Sequence, residues 1–182
     1  MELTKAAVLV PIVISKDNDP KVLYTVRTNS VPQHKGEVCF PGGRLERHDL
    51  NIRQAAIRET EEEIGISRDK ITIIDELEGC STASGYIVRP VVALIRGKFE
   101  TQLCPREVAD IFYIPLRKLI QHKTSNQYNN SNDKNIYGPR IQYNQHTIWG
   151  ATAIITYQLL DAIATATATD VSIYNFHEML EN

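Results

Sequence analysis

The chain has 182 residues, 42% of them hydrophobic, with a formal net charge of −2 and a pI near 6.2. That length and apolar content suit one domain (1–182) with its own core, and the balanced charge gives no general basic footprint for nucleic acid. Cys39, Cys80 and Cys104 are odd in number and lack C-x-x-C spacing, which argues against structural zinc and a disulfide framework and favours a reducing compartment. The N-terminus shows no basic leader followed by an apolar core, and no apolar run reaches the roughly 20 residues of a membrane span. A cytoplasmic protein with no membrane partner is therefore expected.

Residues 5–15 are apolar and β-branched and read as a strand, with Pro11 marking an edge or a bulge. Asn18, Asp19 and Pro20 form a turn, and residues 21–27 follow as a second strand of a hairpin. Residues 28–37 are a polar loop. A short apolar run then leads to Phe40-Pro41-Gly42-Gly43, read as a Gly-Gly turn.

A helix follows. Asn51 is a natural N-cap with Gln54 three residues on, and Gly65 is a natural C-cap. Ile52, Ala56, Thr60 and Ile64 recur every four residues and face the core. Glu59, Glu62 and Glu63 stand at i, i+3 and i+4 on a different face, while Glu61 points elsewhere. Three like charges so placed cost roughly 0.2–0.5 kcal/mol per pair, a cost that a hard divalent cation removes. Arg58 can orient a neighbouring carboxylate, and the Gly42 and Gly43 carbonyls can approach a cation because no side chain intervenes. A solvated acidic face is the alternative.

Beyond the helix, residues 71–77 and 87–95 read as strands, the second interrupted by Pro90, with a turn cluster at 81–86 between them. Residues 116–121 form a short helix. Residues 123–139 are rich in Asn, Ser and Gln and are expected as a mobile loop, either a lid or simply solvated. Residues 140–148 read as one strand. A helix opens at Trp149-Gly150 and runs to Ile163, fading in an Ala-Thr alternation, and the tail is expected to form a short final helix. Trp149 either anchors the last helix on the sheet or contacts a ligand.

The stretch from Phe40 to Ile66 resembles the Nudix box, G-x5-E-x7-R-E-U-x-E-E-x-G-U, with Gly43, Arg58, Glu59, Glu62, Glu63, Gly65 and Ile66 falling on it. It departs in three ways. Asp49 replaces the first Glu, one extra residue precedes Arg58, and Thr60 takes an apolar position. The first two departures resemble the coenzyme A diphosphatase branch of the Nudix hydrolases. Leu23, Thr25, Arg27, Gly36, Phe40, Pro41, Gly42 and Gly43 match a second signature of that branch, from which Pro32 departs by replacing an Arg. His34 and Lys35 can supply the missing positive charge or be plain loop residues. Tyr86 lies in a run similar to the branch, where it either packs or stacks on a base.

The resemblance implies an α/β fold, the Nudix α-β-α sandwich with a mixed sheet. It implies Mg²⁺ or Mn²⁺ held by Glu59, Glu62, Glu63 and Gly42. Glu59, Glu62, Glu107 and Arg58 are then the catalytic candidates, with Glu107 either the late metal ligand or base, or a surface carboxylate. Arg27, His34, Lys35 and Tyr86 are the substrate-binding candidates. The expected partner is a small molecule linked through a nucleoside diphosphate. Coenzyme A, cleaved to 3′,5′-ADP and 4′-phosphopantetheine, is favoured over ADP-ribose, dinucleotides or nucleoside triphosphates. A binding module without hydrolysis and a homodimer remain further possibilities.

Overall fold

A computed structural model describes residues 3–14, 19–30, 34–127 and 138–168. The centre is β1 (Thr4–Ile14), whose whole length runs parallel to β7 (Tyr86–Arg96). On its other side β1 meets β4 (Gly42–Arg44) and then β2 (Lys21–Arg27), both antiparallel. The sheet continues outward through β2 to β3 (Val38–Cys39) and β8 (Val108–Pro115), and through β7 to β5 (Ile71–Glu76) and β6 (Cys80–Ser81). One parallel pair among antiparallel ones makes it a mixed sheet.

Alternation along β1 creates two cores. Ala7 and Leu9 face α1 (Ile52–Ile64), packing with Ala55, Ala56, Ile64 and Ile66. Val10 and Ile12 face the opposite side, where α2 (Leu116–Gln127) and α3 (Gly150–Ala168) contribute Leu119, Ala153, Ile155 and Leu159. A strand whose two faces are both covered must be apolar at successive positions, and this one is. The result is the expected α/β sandwich. Among the described residues no helix is long and apolar enough to cross a membrane.

The caps of α1 form as the sequence predicts. Asn51 accepts from the Gln54 N–H at 3.0 Å, and Gly65 closes the helix in the left-handed region at φ 73°. Ala56, Thr60 and Ile64 are buried, and the Thr60 hydroxyl donates to the Ala56 carbonyl at 2.7 Å, which satisfies a polar group in an apolar position.

Several expectations are corrected. Pro11 is not at an edge, because β1 is central. The Leu9 N–H donates to the Pro41 carbonyl, so the missing Pro11 donor, two residues on, falls where β1 passes from β4 to β2. Gly42 and Gly43 are not a turn but lie within strand β4. Pro90 does not interrupt β7. Residues 140–148 form a hairpin, β9 (Ile141–Tyr143) and β10 (His146–Ile148), because Asn144 adopts φ 51° in a two-residue turn. The loop expected from residue 123 starts later, since α2 runs to Gln127. Helix α3 does not fade at 164 but reaches Ala168, with Thr165 and Thr167 bonding back to the Asp161 and Ile163 carbonyls. The rest of the expected loop through 137, Pro32 and the tail helix lie outside the described residues.

Candidate active site

Glu59 and Glu63 stand one turn apart on α1, on the side that meets β4. Ordinary side chains on β4 would block them. A Cβ on Gly43 would lie 2.4 Å from Glu59 Oε1, and one on Gly42 would lie 2.3 Å from the Ala7 carbonyl oxygen. Gly43 is therefore the gap that lets β4 approach the Glu59 carboxylate, and Gly42 lets β4 lie against β1. The Gly42 N–H donates to Glu63 Oε2 at 3.2 Å. The resemblance offers the Gly42 carbonyl as a ligand; the structure uses its N–H to hold one.

Glu107 completes the cluster from a distant part of the chain. The loop before it hangs from the end of α1: the Gln102 N–H donates to the Ile64 carbonyl at 2.9 Å and the Cys104 N–H to the Glu63 carbonyl at 2.8 Å. These bonds satisfy the last carbonyls of the helix and tie the loop to the glutamates it must meet. The Glu107 carbonyl accepts from Thr28, beside a bulge at Val26/Arg27 in the β2–β8 pairing. One oxygen each from Glu59, Glu63 and Glu107 then lies within 4.8 Å of the others.

Glu63 is only 4% exposed, and burial, with Glu59 and Glu107 adding to it, pushes its carboxyl up to about 8 against the opposing Gly42 hydrogen bond. Burial also raises Glu59, and Arg58 opposes that rise. Three hard oxygen donors that resist sharing negative charge are a fitting seat for a divalent cation of the Mg²⁺ or Mn²⁺ type. Glu59, Glu63 and Glu107 would hold it.

Arg58 orients carboxylates, as its place in the box suggests, and is fully committed. It grips Asp49 through Nε and Nη2 at 3.1 and 2.9 Å, and Nη1 reaches Glu59 and Glu62 at 3.0 Å each. Nη2 also donates to the Arg44 carbonyl at 3.2 Å. The hydrogen bonds from Arg58 hold the Asp49 carboxyl below its usual range. So Asp49, in the place of the first box Glu, serves by anchoring Arg58. Glu62 is not drawn into the cluster. Its side chain is 59% exposed and turned to Arg58, four residues back on the flank of the helix. Glu61 pairs with Arg68.

The substrate-binding candidates separate. Arg27, His34 and Tyr86 line a cleft of about 460 Å³ together with Arg44 and the three carboxylates. The Nε atom of Arg27 is buried with no hydrogen-bond partner among the described residues. His34, at φ 60°, contacts Glu37 and Ser84 at 3.0 and 3.3 Å. Lys35 is exposed and does not line the cleft. Tyr86 bonds Arg44 through its hydroxyl. The sequence reading missed Arg44; its one signal was its place directly after the two glycines.

The cleft opens into a second cavity of about 410 Å³ on the α3 side, sharing Ala6, Gly42 and Val88 with it. Val8, Val38, Phe40, Ala151, Ile154 and Ile155 make its walls largely apolar. Trp149 stands at its edge, 46% exposed, and does not anchor α3 by burial. Cys39 faces this cavity, and burial pushes its thiol up to about 11, so it is no nucleophile.

A family model described as NUDIX domain matches residues 3–134. A Nudix hydrolase named NudL from Photorhabdus laumondii is 34% identical over 159 residues, covering 87% of this chain and 84% of the relative. Its namesake in Yersinia pestis (strain Pestoides F) is 31% identical over 163 residues, covering 88% and 80%. Among solved structures, the M. smegmatis Nudix hydrolase RenU aligns with a TM-score of 0.61 at 16% identity, covering 91% of this chain and 88% of that one. A C. elegans Ap4A hydrolase binary complex aligns with a TM-score of 0.54 at 24% identity, covering 64% and 83%. The NUDIX domain of Shewanella oneidensis NrtR complexed with ADP ribose aligns with a TM-score of 0.51 at 21% identity, covering 66% and 78%. With the family model spanning most of the chain and relatives above 30% identity along nearly all of it, the chain belongs to the NUDIX family and is a hydrolase of diphosphate bonds.

Proposed function

We propose that the protein cleaves the diphosphate of coenzyme A or its thioesters, with Mg²⁺ or Mn²⁺, giving 3′,5′-ADP and 4′-phosphopantetheine or its acyl form. The observation that carries this reading is the meeting of two unlike spaces. Glu59, Glu63 and Glu107 close to within 4.8 Å in a cleft that runs into a largely apolar cavity. A ligand filling both has a diphosphate at one end and a long, weakly polar arm at the other. A second nucleoside would lie against Val8, Phe40, Ile154 and Ile155 over much of that wall, and each of its polar atoms buried there without a partner costs about 1–3 kcal/mol.

A cation at the three carboxylates supplies charge neutralisation and a more acidic attacking water. The residues do the rest. Arg58 keeps Glu59 aimed into the cleft. Glu107 is exposed, and among the described residues its carboxylate has no hydrogen-bond partner, so it is the one of the three free to take the proton of the attacking water. Water attacks one phosphorus, the P–O–P bridge breaks, and the bridging oxygen leaves with the other phosphate. Glu62, held by Arg58 on the flank of the helix, is the remaining candidate ligand.

The test is product identification by mass spectrometry after incubation with Mg²⁺ or Mn²⁺ and, in parallel, coenzyme A, ADP-ribose, a dinucleotide and dGTP. Release of 3′,5′-ADP with 4′-phosphopantetheine supports the reading. Metal-dependent cleavage of only another nucleotide overturns the substrate and keeps the chemistry. Cleavage of none overturns both and favours a binding module.

A further inference from the structure

We infer that Arg44 and Tyr86 together form a grip for the phosphoryl oxygens, with Arg44 contacting substrate and the Tyr86 hydroxyl positioning it. The inference deepens the hydrolytic reading and rests on it for the identity of the reaction. It starts from the strand register. Ala6 pairs with Arg44 on β4 and with Val88 on β7, and Tyr86 lies two residues before Val88. Period-two alternation puts Arg44, Ala6, Tyr86 and Val88 on one face, the face that lines the carboxylate cleft.

There the Arg44 guanidinium turns one edge to Tyr86. Nε donates to the hydroxyl at 2.9 Å, Nη2 donates to the same oxygen, and the guanidinium carbon sits 5.3 Å from the ring centroid. A tyrosine hydroxyl has two acceptor positions and one proton. Arg44 occupies the acceptor side, so the proton is left to be given away. The second edge of Arg44 is uncommitted: among the described residues no carboxylate lies within ion-pair distance of it, and Nη1 has no hydrogen-bond partner. The pair thus presents Nη1–H and O–H donors with a whole uncompensated positive charge, the arrangement that recognises phosphate oxygens.

Other cations near the cleft are less suited. Arg58 is spent on Asp49, Glu59, Glu62 and a backbone carbonyl. His34 is held between Glu37 and Ser84. Arg27 lies deeper, with its Nε sealed from solvent. Tyr86 itself is braced, since its backbone N–H donates to Thr82 Oγ1 at 3.1 Å and that oxygen meets Ser84 Oγ at 3.0 Å. The Arg44 guanidinium lies toward one face of its ring as well as on its hydroxyl, so the tyrosine positions the arginine.

The experiment measures KM, kcat and competitive inhibition by inorganic pyrophosphate for the wild type, Arg44→Ala, Arg44→Lys and Tyr86→Phe. Charged hydrogen bonds of this kind are worth about 10–100-fold, and Arg44→Ala should raise KM and the pyrophosphate Ki by that factor with a smaller change in kcat. Tyr86→Phe keeps the ring and should raise both constants about 3–10-fold, the value of a single neutral hydrogen bond. Arg44→Lys should restore binding only in part, because an ammonium is a compact point charge on a flexible stem and lacks the rigid planar fork that fixes Tyr86 and phosphate on separate edges. A Ki within twofold of wild type in both Arg44→Ala and Tyr86→Phe overturns the inference, whatever happens to thermal stability. If the wild type cleaves no diphosphate, the reaction reading has failed on its own. Calorimetric titration of inorganic pyrophosphate with Mg²⁺ into the same variants then decides the grip: weakened binding upholds it and unchanged binding sinks it.

Discussion

The two sides of the central strand β1 are built on opposite principles. On the α1 side the charges of the helix are tied down: Arg58 links Asp49, Glu59 and Glu62, and Glu63 leans on the Gly42 N–H. On the α3 side the walls around Phe40, Val88, Ile154 and Ile155 enclose a largely apolar space, with Arg27, His34, Thr82 and Ser84 where it joins the cleft. The first side gathers three carboxylates to within 4.8 Å of one another. The second offers volume and tolerates variety. The contrast teaches where substitutions should be severe and where they should be mild.

The largest effect is expected at Glu63. Glu63→Gln keeps an acceptor for the Gly42 N–H and so keeps the fold, but removes a buried ligand charge. Turnover should fall on the order of 10²–10⁴-fold while the far-UV circular dichroism spectrum stays that of the wild type. Next comes Gly43→Ala. The new Cβ would meet Glu59 Oε1 at 2.4 Å and push the carboxylate off its position. A displacement of that size costs about 10²-fold in rate, and the crowding about 1–3 kcal/mol in denaturant stability.

Asp49→Asn tests the brace and not the ligands. It should lower stability by about 1–3 kcal/mol at pH 7 in urea titrations, with a modest loss of turnover. Because Arg58 depresses the Asp49 carboxyl in the folded state, its contribution is fully present above the ordinary value of about 3.9 and is lost as pH falls through the folded value. The gap between wild type and Asp49→Asn should therefore narrow below about pH 4. A gap that stays constant down to pH 2 would contradict this role. The smallest effect belongs to the apolar side. Trp149→Ala should leave stability nearly unchanged, since the ring is 46% exposed, and raise KM for coenzyme A about 3–10-fold without touching inhibition by inorganic pyrophosphate.

The same contrast explains what the sequence made legible. The α1 side is written in one contiguous stretch from Phe40 to Ile66, so helical period, Asn51, Gly65 and the spacing of Glu59 and Glu63 could be read directly. Glu107 was reachable only by resemblance, because its approach depends on backbone bonds from Gln102 and Cys104 to the end of α1. For Glu62, helical spacing gives a face but not the hydrogen bond to Arg58 that sets its side chain apart from the other three. The Gly42-Gly43 pair reads as a turn in one dimension and becomes a strand only when β1 lies beside it. The apolar cavity draws on residues around 6, 38, 83, 149 and 155, and no local pattern announces such an assembly. Trp149 left two readings open for that reason: a large aromatic ring before a helix reads first as an anchor, and only the tertiary fold shows it half exposed on the cavity lining.

The most direct test is the rate of coenzyme A hydrolysis as a function of Mn²⁺ concentration, for the wild type and for Glu63→Gln. The account predicts saturable activation of the wild type and a variant that is folded but not restored at any Mn²⁺ concentration. Equal activity of the two proteins, or hydrolysis by the wild type that ignores the metal, would contradict a reaction carried out at Glu59, Glu63 and Glu107.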